Sequence, residues 1–158
     1  MIGYFTQMGK SQFKVALIYR ATRDGFGADD FHRTCDNKGP TLTIIQTTEG
    51  FVIGGYTNDH WESPDRYKWK PSYDGWLFTI AHPHPFTRNK GDEKGIYCDK
   101  GYGTEFGWGG DIGIRDMSDG VVHGIFSGNS YKYGGVHLLN WKGRTTFTTK
   151  EIEVYQVI

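Results

Sequence analysis

The chain alternates short apolar runs with polar, glycine-rich breaks from one end to the other. Such runs, rich in β-branched and aromatic residues and bounded by Gly, Pro, Asn or Asp, are typical of β-strands. Many short strands with few helices favour two packed antiparallel sheets. We therefore predict a β-dominated α+β fold, a β-sandwich flanked by a few short helices. The predicted strands lie at 14–20, 41–47, 51–57, 76–82, 95–99, 111–115, 121–126, 138–143 and 145–158.

One segment predicts a helix with definable ends. If Gly27 is the N-cap, Phe26 stands at N′ and Phe31 at N4, the positions that form a hydrophobic staple. Two acidic residues follow the N-cap and a His-Arg pair comes later, an order that suits the helix dipole. Phe31 and Cys35 share one face, which we expect to be buried. Pro40 prevents the helix from continuing.

A break and a hairpin follow this helix. Asn37 or Gly39 can adopt the left-handed conformation that ends many helices. The runs 41–47 and 51–57 are separated by Glu49-Gly50, which is a turn signal. We predict that these two runs pair as antiparallel strands.

These segments resemble the opening of a known family, the TLDc domain. The resemblance lies in LIYRATRDGF, DFHRTCDNKGPTLTII and VIGGYT. It continues through Trp76-Leu77-Phe78, the glycine-rich GYGTEFGWGGDIGI and the final KEIEVYQVI, and so spans about residues 14–158. The sequence Thr104-Glu105-Phe106-Gly107-Trp108-Gly109 stands where the family usually has a Pro-Thr-Phe-Gly-Gly-Gly-like run. Residues 1–13 would then be an N-terminal arm or the boundary of an excised piece.

The resemblance implies both a fold and a function. The fold is again a β-sandwich flanked by short helices. The function is that of a non-catalytic protein-interaction domain, linked to oxidative-stress protection and to binding and regulating the vacuolar-type proton ATPase. We therefore expect an intracellular, cytoplasmic location, peripheral to organelle membranes. We also expect a monomeric domain of a larger protein with protein partners, among them subunits of that ATPase.

Composition narrows the classes of partner. At 158 residues the chain suits one domain. Lys plus Arg and Asp plus Glu number 18 each, so no basic surplus points to nucleic acid. The sequence contains no apolar run of about 18 residues, the length that a membrane-spanning helix needs.

Two alternatives to the interaction domain stay open from the residues themselves. Cys35 and Cys98, predicted to be free thiols, or a metal held near His82-Pro83-His84, would suit a catalytic antioxidant domain. Neither cysteine has a CxxC partner and the histidine spacing matches no closed zinc site, so we assign no catalytic, cofactor or metal residue. The many aromatic residues would suit a carbohydrate-binding β-sandwich.

The residues that we predict to bind a partner lie in two loops. Arg23 and Asp24 belong to a predicted turn, Arg23-Asp24-Gly25, and Glu105 and Trp108 belong to the glycine-rich segment. Exposed loops carry most binding determinants because strand interiors are committed to the core. Arg and Trp are also enriched among the residues that dominate binding energy.

Overall fold

The computed structural model describes residues 2–115, 122–124, 130–139 and 146–158. Within these ranges the chain forms three short helices and eleven strands. The helices are α1 Ile2–Gln7, α2 Ala21–Asp24 and α3 Ala28–Cys35. The strands are β1 Val15–Arg20, β2 Thr41–Thr47, β3 Val52–Thr57, β4 Lys68–Lys70, β5 Trp76–Thr79, β6 Phe86–Thr87, β7 Ile96–Cys98, β8 Tyr102–Phe106, β9 Ile112–Arg115, β10 Val122–Gly124 and β11 Thr146–Val157.

The described strands form two sheets, and every pairing between them is antiparallel. The larger sheet runs β1-β11-β2-β3-β5-β6, and β10 also pairs with β11. The smaller sheet runs β4-β7-β8-β9. The long β11 holds the larger sheet together because it pairs with β1, β2 and β10. The predicted β-dominated fold, two packed sheets flanked by short helices, is confirmed.

The main core fills the space between the sheets. Alternate residues of each strand point inward, so that Ile45 and Ile53 of the larger sheet and Phe106 and Ile112 of the smaller one belong to one buried cluster. Trp61, which is fully buried, joins the layers: its indole Nε1 donates a hydrogen bond to a threonine hydroxyl of β2 at 2.9 Å. Its ring also meets the Phe31 ring of α3 and the Phe106 ring of β8 edge-on, at 5.6 Å and 5.5 Å between ring centroids. Trp61 therefore contacts α3 and both sheets.

A second core covers the outer face of the larger sheet. Helix α1 places Tyr4 and Phe5 against Tyr56, Trp76 and Phe78. The Phe5 ring meets the Trp76 ring edge-on, with 5.1 Å between ring centroids. The strands of the larger sheet thus bury both faces. Among the described residues, no helix is long and apolar enough to cross a membrane.

Helix α3 begins where the sequence predicts, and it ends at Cys35 with an extended C-cap residue, Asp36. Gly27 is the N-cap, and its backbone N–H donates to the Asp30 carboxylate at 3.2 Å. Phe31 and Cys35 are both buried in the main core. Asn37 and Gly39 both have positive φ, at 58° and 78°. The hairpin prediction is confirmed as well, since β2 and β3 pair over their whole length.

The structure differs from the sequence-based expectation in several places. Helix α1 and strand β6 lie where no element is predicted, strand β4 lies inside the stretch 58–75, where the sequence predicts no strand, and β8 lies inside the glycine-rich segment. Helix α2 replaces the predicted turn before Gly25, whose φ of 109° ends it. Of the predicted strand 138–143, residues 138 and 139 form a turn and the rest lies outside the described residues.

Candidate functional site

The outer face of the smaller sheet carries a cluster of aromatic side chains, which we call the aromatic face: Tyr67, Trp69, Tyr97 and Tyr102. Neighbours of Tyr97 along β7 point into the core, so alternation directs the Tyr97 ring outward. The Tyr97 ring centroid lies 4.7 Å from that of Trp69, 5.5 Å from that of Tyr102 and 5.6 Å from that of Tyr67. Tyr67 is 62% exposed. Tyr97 is therefore the centre of a partly exposed ring cluster.

Strand pairing places Glu105 beside this cluster. Trp69 pairs with Tyr97 across β4 and β7. The pairing of Ile96 with Phe106 puts Tyr97 next to Glu105 across β7 and β8. Glu105 in turn pairs with Gly113 of β9. Across the outer face, neighbouring strands thus present the Trp69 ring, the Tyr97 ring, the Glu105 carboxyl group and then Gly113.

The Glu105 carboxyl lies in an environment that disfavours its charge. Burial raises the pKa of Glu105 to about 7. Arg115 acts in the opposite direction and Asp99 adds to the rise. The carboxyl therefore titrates close to neutral pH.

Trp108 is a large aromatic side chain that the structure leaves 56% exposed. The Lys94 ammonium lies over its ring, 4.2 Å from the centroid, and 6.0 Å from the centroid of Trp69. Lys94 thereby joins Trp108 to the aromatic face. The backbone N–H of Trp108 donates to the Ser130 hydroxyl at 2.9 Å, which fixes the loop.

A buried aspartate stabilises the same loop through hydrogen bonds. Asp111 is fully buried, and its carboxylate accepts hydrogen bonds from the Tyr133 hydroxyl at 2.9 Å and the Ser130 N–H at 3.1 Å. Gly107 has a φ of 75°, and a Cβ there would lie 1.8 Å from an Asp111 oxygen. Only glycine satisfies both demands. Trp108 therefore stands on a turn that is held by hydrogen bonds and that requires glycine at position 107.

Arg23 and Asp24 lie in a different part of the molecule. They belong to α2, which packs against β1, β11 and α3. The Asp24 carboxylate accepts the backbone N–H of Arg20 at 2.9 Å and pairs with the Arg23 guanidinium at 2.7 Å. The Arg23 hydrogen bond, followed by that of Arg20, lowers the pKa of Asp24 to about 2. Asp24 is thus committed to the local structure of α2, and the two predicted loops form separate patches.

His32 ties α3 to the turn that leads into β8, a link that the sequence analysis missed. Its Nδ1 lies 2.7 Å from an Asp36 oxygen, and its Nε2 lies 3.0 Å and 2.8 Å from the carbonyl oxygens of Asp99 and Tyr102. Every partner is an acceptor, so all of these hydrogen bonds form only when both ring nitrogens carry protons. Burial opposes this charge, but the Asp36 hydrogen bond and the carbonyls leave the pKa of His32 raised.

Both cysteines are buried and free. Burial raises the pKa of Cys35 to about 12 and that of Cys98 to about 11. A thiol reacts with peroxide as its thiolate, so these environments oppose the reaction.

The histidines considered for a metal site have other partners. His84 Nδ1 lies 2.8 Å from the Gln7 side-chain oxygen, and the His82 ring stacks on Phe86. In the part of the chain that the structure describes, no group of three or more His, Cys, Asp or Glu side chains could hold a metal ion.

The fold and the site together define a β-sandwich domain with an exposed aromatic face and a hydrogen-bonded tryptophan loop. The TLDc domain model matches residues 2–158. The chain therefore belongs to the TLDc domain family. A comparison with curated proteins gave no match.

Proposed function

We propose that this domain is a non-catalytic protein-interaction module that docks through the aromatic face and Trp108. The observation that carries the proposal is that Trp108 is 56% exposed although its loop is fixed by Ser130 and Asp111. Tryptophan side chains in central positions dominate many interfaces. Hydrogen bonds already hold the backbone of this loop, so binding should cost little entropy for ordering the loop.

The partner that family membership supports is the vacuolar-type proton ATPase. TLDc domains occur in eukaryotic proteins that protect against oxidative damage, and several of them bind this pump and regulate its assembly. On this proposal the domain works in the cytoplasm at the surface of organelle membranes, and its part in oxidative-stress protection follows from regulation of the pump.

The test is binding of the purified domain to vacuolar-type ATPase subcomplexes. Trp108→Ala and Glu105→Gln, which removes the charge but keeps the shape, should weaken binding while leaving the melting temperature unchanged. Ile80→Ala is the matched control, because Ile80 is 61% exposed but lies at the end of β5 in the other sheet. Unchanged binding in both test variants would place the interface elsewhere. Absence of binding by the unaltered domain would remove the pump from the proposal.

Carbohydrate binding is the second candidate, because the aromatic face offers exposed rings beside a carboxyl group. Sugars stack on aromatic rings but also need several hydrogen-bonding groups around them. A panel of monosaccharides titrated against tryptophan fluorescence tests this candidate. A saturable response that Trp69→Ala abolishes would favour it over protein docking.

The catalytic antioxidant is supported less well. Its thiol version needs an accessible thiolate, whereas Cys35 and Cys98 are 0% and 1% exposed. Their contacts are those of core side chains.

A further inference from the structure

We infer that Glu105 and the aromatic face form a binding site for the guanidinium group of an arginine side chain on the partner protein. The inference rests on the proposed function for the existence of a partner, and it adds the chemistry of the group that the partner presents. It follows from the position of Glu105 in the sheet, the shape of its surroundings and the charges that face it.

On the outer face of the sheet, Glu105 has a ring on one side and a residue without a side chain on the other. Tyr97 stands on the first side and Gly113 on the second. A Cβ at Gly113 would lie 3.8 Å from the Glu105 carboxyl carbon, an ordinary contact distance, so the carboxyl group lies over the backbone of β9. A cation that pairs with this carboxyl group would also lie near the rings.

The shape of the surroundings suits a planar cation. Guanidinium is planar, stacks on aromatic rings and pairs with a carboxylate through two parallel hydrogen bonds. Trp69, Tyr97 and Tyr67 supply the rings within one continuous cluster. An ammonium group is a compact, strongly hydrated charge that lacks the second hydrogen bond of the pair and the stacking contact.

No cation of the described residues forms an ion pair with Glu105 within 4.0 Å. Lys94 lies over Trp108, and the Arg115 guanidinium lies 5.9 Å from the Tyr102 ring centroid. Arg115 favours the charged carboxylate from beyond that distance. Burial disfavours the charged form of the Glu105 carboxyl group, and a guanidinium beside it would favour that form again.

The site should also respond to pH near neutrality. Burial raises the pKa of Glu105 to about 7, so the carboxyl group must lose a proton before it can pair with a cation. The charged or titratable groups that face it are Arg115 from β9, Asp99 from the preceding turn and Tyr97 from β7. Of the groups that face one another here, the Glu105 carboxyl has its pKa between pH 6 and pH 8, whereas burial raises the pKa of Tyr97 to about 12.

The experiment uses the whole isotope-labelled chain and three capped tripeptides, Gly-Arg-Gly, Gly-Lys-Gly and Gly-citrulline-Gly. Citrulline matches arginine in shape but has no charge. The 13C resonance of the Glu105 carboxyl group is followed by NMR as each peptide is added. We expect the arginine peptide to shift this resonance and the Trp69 and Tyr97 signals, to bind more tightly at pH 8 than at pH 6, and to lower the titration midpoint of Glu105.

Matched variants separate the site from general attraction. Glu105→Gln keeps the shape of the side chain but removes its charge. It should raise the Kd of the arginine peptide at least about tenfold, a loss of about 1.4 kcal/mol in binding free energy. Glu153→Gln removes a carboxylate already paired with Arg20 and should change nothing. If Glu105→Gln fails to fold, Tyr67→Ala tests the ring contribution, since Tyr67 is 62% exposed and its loss should weaken binding several-fold.

The inference is overturned if the citrulline peptide shifts the same signals equally, if only the lysine peptide binds, or if no peptide shifts them at tens of millimolar concentration. These failures are distinct from failure of the proposed function. Pump binding that depends on Trp108 without any arginine response would refute only the guanidinium site. An arginine response without pump binding would refute only the partner.

Discussion

Phe31→Ala is the most informative test of how the fold is held together. Phe31 is 2% exposed, and its ring meets those of Tyr19 and Trp61 edge-on at 5.8 Å and 5.6 Å. Burial of a side chain of this size contributes about 1.5–3 kcal/mol, and each edge-to-face contact adds about 0.5–1.5 kcal/mol. We therefore expect the substitution to lower the free energy of unfolding by about 3–5 kcal/mol, the usual loss for such truncations.

Chemical denaturation with linear extrapolation measures this loss, and an unchanged m-value shows that the same surface unfolds. For a chain of this length the melting temperature should fall by about 6–20 °C. Asp29→Ala is the control in the same helix, because Asp29 is exposed and its charge at the first turn contributes only about 0.3–1 kcal/mol. A loss below about 1 kcal/mol at Phe31 would show that this face of α3 does not anchor the helix.

Three further predictions concern stability and chemistry. Because the folded pKa of His32 is raised, its contribution to stability is full below the unfolded pKa of about 6.5 and is lost as pH rises through the folded value. The denaturation midpoint of the unaltered domain should therefore fall as pH rises through the folded pKa of His32, and that of His32→Gln should not show this fall. Gly107→Ala should destabilise the domain by at least about 1–2 kcal/mol, through its positive φ and its clash with Asp111, and a normal melting temperature would contradict the loop geometry. Cys35→Ser and Cys98→Ser, where folded, should leave any protection against peroxide intact, whereas rapid peroxide consumption lost in one folded variant would establish thiol catalysis.

The sequence predicts well those elements whose signals are local. The start of helix α3 could be placed to the residue because its N-cap and its staple position lie within one short stretch. The end could be placed only to within a few residues, before the positive-φ residues Asn37 and Gly39. The β2–β3 hairpin has the same advantage, with its turn at Glu49-Gly50. Neither prediction needs knowledge of what the element packs against.

Two strands of the smaller sheet were missed because their patterns do not follow the usual alternation. In β4 the lysine Lys70 points inward and is 6% exposed, since it pairs with Glu62 at 2.6 Å, while Trp69 belongs to the outer face. In β8 the inward positions include Gly103 and Thr104, small residues that give no apolar signal. Burial of a paired lysine and close backbone approach are properties of the tertiary structure.

The candidate site could be predicted only in part for the same reason. Glu105 and Trp108 were identified because they stand in a glycine-rich loop with residue types common at interfaces. Trp69, Tyr97 and Lys94 join them only through pairing of strands far apart in sequence, which no local pattern specifies.

Hydroxyl-radical footprinting of the domain, free and bound to vacuolar-type ATPase subcomplexes, tests the proposed docking surface most directly. Trp108 is 56% exposed and should be oxidised readily in the free domain. Met8 packs against the outer face of the larger sheet and serves as the internal reference. Docking through the aromatic face predicts strong protection of Trp108 in the complex with unchanged oxidation of Met8. Equal oxidation of Trp108 in the free and bound states would contradict it.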